Sequence, residues 1–457
     1  MSIQKGTMHQ PDEEETAHLI PSKPPPSIRY SAGGHRFIDE NDDGIQHHSN
    51  GSFFGTTFNI MTCVIGSGIL LLPSAFEECG VALAAILLAG LTLVSIYTIN
   101  LLIKCSEVSG SKTYQEVAFT AYGLPGTRLA KFFLFLNLFG TLSAYCKIMG
   151  DLAYPVAEYA LHDHWYTDAR TLSAALLVFI VLPLAFFSKI HQLEKTSILA
   201  ILSVLVVLFL VVFRSIQHLV HNGTGSVHIF RFENIKGIAR SVPLFAFAAG
   251  CQTQIIPIFN ELKPALRERN AIKPIVYLSN ANCFAVYVII AVFGYLQFGG
   301  ETCDNIVSNY ADSDIIAIIG RVSMAAHVAL AFPLQLWPCR NILDSFFFDP
   351  NDNRFQTLRH TGETIFLLVS SYGLSITTKK IDVIFGFTGF TGDITTIVNF
   401  VLPCLFFLKL AERITITKKI ACWAVIILGI AVGLLSLGIQ IWDLADKPDT
   451  KPCKPSN

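Results

Sequence analysis

The chain has 457 residues, of which 52% are hydrophobic and only 15% charged, where soluble domains run at about 45–50% and about 25%. With a mean hydropathy of +0.51 and a formal net charge of −1, this composition excludes a single water-soluble core and gives no electrostatic reason to bind nucleic acid. Charge matters here by position, not by sum.

Residues 1–50 are polar, with an acidic run from Asp12 to Glu15 and a triple proline, Pro24 to Pro26. That composition predicts a disordered cytosolic tail with little to bury. It does not read as a secretory signal, because the apolar run that follows is too long for one. Within the tail, Glu15, Leu19 and Ile20 stand at the spacing of an acidic dileucine sorting signal. Such a signal implies adaptor binding and an endosomal, lysosomal or vacuolar membrane, with the plasma membrane as the alternative.

From Phe53 the character changes. A spanning helix needs about 20 mostly apolar residues. Eleven such runs follow, near 53–76, 81–104, 129–160, 171–188, 195–213, 238–260, 274–298, 314–338, 362–378, 382–408 and 420–442. The expected fold class is therefore an all-α polytopic membrane protein with 11 transmembrane helices. A cytosolic N-terminus places about twice as many Lys and Arg inside as outside, leaving Lys147 and Arg321 within spans. The sequon at Asn222 then falls on the non-cytosolic face, where glycosylation occurs.

The first span carries Gly66-Ser67-Gly68 at mid-depth, which disfavours a continuous helix. The sixth carries Ala249-Gly250-Cys251-Gln252 in the same place. Interruptions five spans apart point to a transporter site between two halves. An odd number of spans per half makes the repeat inverted. The expected division is a first repeat over 51–218, a non-cytosolic loop over 219–237, a second repeat over 238–410, and a last span with its tail over 411–457. Freed N–H groups near Gly66 to Gly68 suit a carboxylate; freed carbonyls suit an amine or a cation.

Several motifs occur together in order. They are Phe58-Asn59 with Gly66-Ser67-Gly68-Ile69-Leu70 and Pro73; Tyr145 with Gly150-Asp151; Cys251 with Pro257 to Lys263; Gly294-Tyr295-Leu296-Gln297-Phe298-Gly299; Pro333 with Pro338 and Arg340; and Leu402-Pro403 to Lys409. In these the chain resembles the amino acid/auxin permease family, near its sodium-coupled neutral amino acid transporters and its vacuolar amino acid transporters. The resemblance implies a LeuT-type 5+5 inverted repeat, with an amino acid bound between spans one, three, six, eight and ten, and coupling to H+ or Na+. It implicates Thr62, Ile65, Gly66, Ser67, Gly68, Tyr145, Phe247, Ala249, Gly250, Cys251 and Gln252 as substrate residues. The chain departs from the sodium-coupled branch at Thr62, at Ala331-Phe332 and at Gln252, where that branch has an asparagine, a threonine just before the proline, and a histidine. Fewer oxygen ligands then remain for sodium.

Ionisable groups inside a membrane are functional candidates, so His327 and Asp393, with Thr62, are the candidate coupling residues. Lys147 and Asp151 stand i,i+4 and are expected to pair, and Arg321 to snorkel outward. Most of the 11 cysteines lie in apolar runs, without metal spacing; Cys303 pairs with Cys79 or Cys453, or stays free. With no nucleophile, metal or cofactor constellation, an enzyme is not expected. The leading reading is ion-coupled transport of amino acids, neutral ones favoured because the span linings are mostly uncharged. An amino acid sensor signalling through its tail is the alternative, and an ion channel on the same fold a third reading.

Overall fold

In lipid every backbone polar group must find a partner within the protein, which leaves helices as the answer for a chain this apolar. The computed structural model describes residues 28–30, 36–38, 51–161, 168–186, 194–223, 226–268, 270–348, 355–377 and 392–446. Its helices in chain order are α1 (Phe53–Val64), α2 (Leu72–Cys79), α3 (Val81–Ser109), α4 (Tyr114–Leu161) and α5 (Ala169–Ala185). After these come α6 (Glu194–Asn222), α7 (Ile235–Ala248), α8 (Gln252–Glu261), α9 (Ile272–Phe298) and α10 (Ile315–Phe347). The last three are α11 (Gln356–Thr377), α12 (Gly392–Leu410) and α13 (Ile416–Asp446). The tail holds one short hairpin, β1 (Ile28–Tyr30) antiparallel to β2 (Arg36–Ile38); Glu15, Leu19 and Ile20 lie outside the described residues.

Among the described residues, 8 helices are long and apolar enough to cross a membrane, with α7 and α8 counted as one. Of the other three expected spans, the first falls on α1 with α2, the fourth on α5 and the ninth on α11; α1 and α5 are apolar but shorter, and α11 does not meet the same length and apolarity. Several boundaries move. α4 begins well before the expected 129 and bends at Gly123, whose φ of 67° and ψ of −155° suit glycine alone; its first turns form a separate arm. α6 runs on to Asn222, which keeps Arg214 helical and ion-paired to Asp314.

The broken helices lie at the centre. The apolar stretches of α7–α8 and of α12 are each 72% buried, against 17% for α13, which presents Leu434 and Trp442 outward. One corner is closed tightly. Gly80 has φ +82°, and a Cβ there would lie 2.9 Å from the Ile229 carbonyl oxygen, so both backbone and space require glycine. Val81 and Ala82 donate to the His228 and Ile229 carbonyls. Arg231 reaches Glu77 at 2.7 Å, and that carboxylate raises the guanidinium above its usual value. The loop between α6 and α7 is thereby fastened over the end of α2.

Candidate functional site

Both interruptions expected from the glycines are present. α1 stops at Val64; Ile65 turns to φ −77°, ψ 96°, Gly66 to φ −112°, ψ −153°, and a 3-10 turn spans Ser67–Leu70. α7 stops at Ala248, and Cys251 at φ −143°, ψ 16° precedes α8. The two breaks face each other. A Cβ on Gly68 would sit 3.4 Å from the Phe247 ring and 3.6 Å from the Ala248 methyl. Tyr145 of α4 closes the third side, since a Cβ on Gly66 would lie 2.8 Å from its hydroxyl. Tyr145 is buried, with its ring 6.1 Å from Phe332 of α10. On α12, a π-helical turn over Ile397–Val401 sets Asn399 against Gly250, where any Cβ would clash with its amide. Such turns recur at functional sites because they re-aim side chains. Spans one, three, six, eight and ten thus converge as expected. The side chain of Ser67 lies outside the described residues.

The carbonyls freed by the breaks do not stand unpaired. Tyr287 of α9 places one hydroxyl 2.7 Å from the Val64 oxygen and 3.1 Å from the Ala248 oxygen, bridging both breaks. Ser95 of α3 donates to the Ala249 oxygen at 2.6 Å. His327 of α10 sets Nε2 2.7 Å from the Ile65 oxygen and Nδ1 2.9 Å from the Ala200 oxygen of α6. An unsatisfied carbonyl in an apolar interior is costly, so neighbouring helices cap these. Each keeps a second lone pair.

His327 is fully buried, and both its nitrogens face acceptors. A neutral imidazole has one N–H and can serve one of them, leaving a lone pair against the other; an imidazolium donates to both.

Other expected residues are placed differently. Thr62 donates to the Ser197 oxygen at 3.2 Å, tying α1 to α6. Gln252 caps the break and ties it to α3: its oxygen accepts from Cys251 N–H, and its amide donates to Ser95 and Thr98 at 3.1 and 3.0 Å. Asp393 belongs to the α12–α13 contact, accepting from Gln440 at 3.3 Å, and is not brought to His327. Lys147 and Asp151 pair at 2.7 Å as expected. Arg321 does not snorkel; it is 2% exposed and holds Asp312 at 2.8 Å, because the loop before α10 folds over it. Cys303 is disulfide-bonded while Cys79 is free, which removes Cys79 as its partner; Cys453 lies outside the described residues. Asn222 is the last residue of α6, and its side chain also lies outside them.

Sequence reasoning missed Tyr287, and it missed the hydrogen-bonded carboxamide pair Gln254–Gln335, which joins α8 to α10. Polar residues in otherwise apolar helices were the available signal.

The description "Transmembrane amino acid transporter protein" belongs to the family whose sequence model matches residues 49–444. The chain is 27% identical over 426 residues to the sodium-coupled neutral amino acid symporter 2 of Danio rerio, covering 86% of this chain and 82% of that one. It is 26% identical over 431 residues to amino acid transporter AVT6E of Arabidopsis thaliana, covering 89% and 86%. Among solved structures it resembles MhsT in complex with L-phenylalanine, with a TM-score of 0.57 and 14% identity over 85% of this chain and 98% of that one. It also resembles a manganese transporter of Eremococcus coleocola, with a TM-score of 0.56 and 12% identity over 88% and 89%. At such identities these two speak for the fold, which is of the LeuT type. The chain belongs to the transmembrane amino acid transporter family, the amino acid/auxin permeases, and is a multi-pass membrane transporter and not an enzyme.

Proposed function

We propose that this chain is a secondary active transporter of neutral amino acids, driven by protons through His327. The observation that carries the reading is the pair of backbone carbonyls, Ile65 and Ala200, on either side of one buried imidazole. Ile65 opens the break in α1, so the ring's protonation state bears directly on the backbone beside the substrate. A cation seeking the Ile65 carbonyl meets the imidazole first, which favours a proton over sodium. The substrate carboxylate is assigned to N–H groups near Gly66 to Gly68. Its amine is assigned to the remaining lone pairs of the break carbonyls, and its side chain to the space bounded by Tyr145, Phe247 and Gly250. Among the described residues none on that boundary is charged, which supports neutral substrates. Rocking of one set of helices against the other around this site gives alternating access.

The test is uptake of labelled neutral amino acids into proteoliposomes under imposed pH or sodium gradients. Accumulation with a pH gradient in sodium-free buffer is expected; accumulation that only a sodium gradient drives overturns proton coupling.

The sensor reading is favoured by one contact. Gly51, at the root of the tail, donates to the Glu261 carbonyl at 2.9 Å and accepts from Lys263 N–H at 3.3 Å. The tail is thus fixed to the end of α8, the half-helix that follows a break. Deleting residues 1–50 is expected to leave transport and abolish any signal. The membrane is proposed to be vacuolar, lysosomal or endosomal on the strength of Glu15, Leu19 and Ile20, with the N-terminus cytosolic and an adaptor as partner. Surface labelling that is unchanged by Leu19→Ala with Ile20→Ala argues against it.

A further inference from the structure

α8, the half-helix after the second break, is tied to α10 by side chains that the proposed substrate contacts leave unused. Thr253 donates to Gln254 Oε1 within α8, which orients that carboxamide with its amide toward α10. The amide donates to Gln335 Oε1 of α10. The Gln335 amide in turn donates to the Tyr145 hydroxyl of α4, the atom 2.8 Å from where a Cβ on Gly66 would lie. Gln254 and Gln335 are 3% and 7% exposed. One chain of hydrogen bonds therefore runs from α8 through α10 to the break after α1. α8 packs more on α3, where Gln252 holds Ser95 and Thr98, than on α10. Its contact with α10 is thin and polar, so the seam that parts at least cost lies there.

We propose that the Gln254–Gln335 pair is the latch of the cytosolic gate. Closed, it seats α8 against α10 and sets the Tyr145 hydroxyl at the break; parted, it opens the site to the cytosol. Both are positioning residues, acting through α8 and Tyr145 and not by touching substrate. The inference rests on the alternating-access reading with a cytosolic N-terminus, which makes α8 the cytosolic half of its span. A buried hydrogen-bonded pair adds little to a permanent contact, since apolar groups of the same shape serve about as well. It suits a contact that opens to water, because water satisfies each separated carboxamide, whereas a parted apolar pair loses its burial.

Cys251, free and buried at the break, reports the opening. Its rate of labelling by a charged, membrane-impermeant maleimide is read by peptide mapping, on the full-length chain in vesicles of either orientation. Gln254→Ala and Gln335→Ala are each expected to speed labelling from the cytosolic face roughly 2- to 10-fold, the worth of one net hydrogen bond, with no rise from the outer face. Gln254→Leu with Gln335→Leu, which keeps the packing and removes the exchange with water, is expected to slow it by a similar factor. Unchanged labelling in both alanine variants, a rise that is equal from both faces, or a double variant labelled as fast as the wild type overturns the latch. In those cases wild-type labelling from the cytosolic face leaves alternating access standing. A wild-type Cys251 that neither face reaches overturns both.

Discussion

Replacing His327 with glutamine separates coupling from binding. The ring is fully buried and spans from the Ala200 oxygen at 2.9 Å to the Ile65 oxygen at 2.7 Å. Glutamine has similar reach and an N–H2 for one of these carbonyls, but it cannot take up a proton. The hydrogen bond it fails to replace is charge-assisted, worth about 1.5–3 kcal/mol, so affinity in the proton-loaded state falls roughly 10- to 100-fold at 1.4 kcal/mol per tenfold. Coupling is affected more sharply. One proton per substrate supplies about 1.4 kcal/mol per pH unit, which supports accumulation of up to about tenfold per unit. In proteoliposomes with an imposed pH gradient, the wild-type chain is expected to approach that ratio. His327→Gln is expected to equilibrate to a ratio of one while still exchanging internal for external amino acid. A His327→Gln protein that accumulates substrate as the wild type does would refute coupling through this ring, because the bridging imidazole would then be structural alone.

Three further outcomes follow from the geometry. In Gly66→Ala the new methyl lies 2.8 Å from the Tyr145 hydroxyl; overpacking of this kind costs about 1–3 kcal/mol, so uptake should fall at least several-fold, and Tyr145→Phe in the same chain should recover part of it. Asp393→Asn is expected to keep the pH dependence of transport, since its carboxylate meets Gln440 of α13 and not the break; a pH-independent Asp393→Asn would transfer the coupling role to it. Peptide mapping without reductant is expected to join Cys303, which is disulfide-bonded, to Cys453; a Cys303–Cys79 link or a free Cys303 contradicts this.

Much of this protein is written locally. Spans are legible because lipid demands about 20 apolar residues in a row. Gly66, Gly68 and Gly250 mark the breaks because glycine weakens a helix from within. The ordered motifs around them identify the family without any contact being known. The Lys147–Asp151 pair follows from helical spacing alone.

The direction in which each buried polar group points is not local. A helix surrounded by protein and lipid is apolar on nearly all sides, so its pattern does not announce which face looks inward. Gln252 sits at the break in sequence but turns its amide onto α3. Asp393 sits on a central helix but faces α13. Arg321 was expected to reach outward and is held inside by a loop. Tyr287 gave no sign of its role until α9 packed across both breaks. The sequence by itself determined that this chain spans a membrane, where its first and sixth spans break, and to which family it belongs. Only the tertiary structure decided which side chains cap the broken backbone, because in an interior without water each freed carbonyl takes its donor from whichever helix packs beside it.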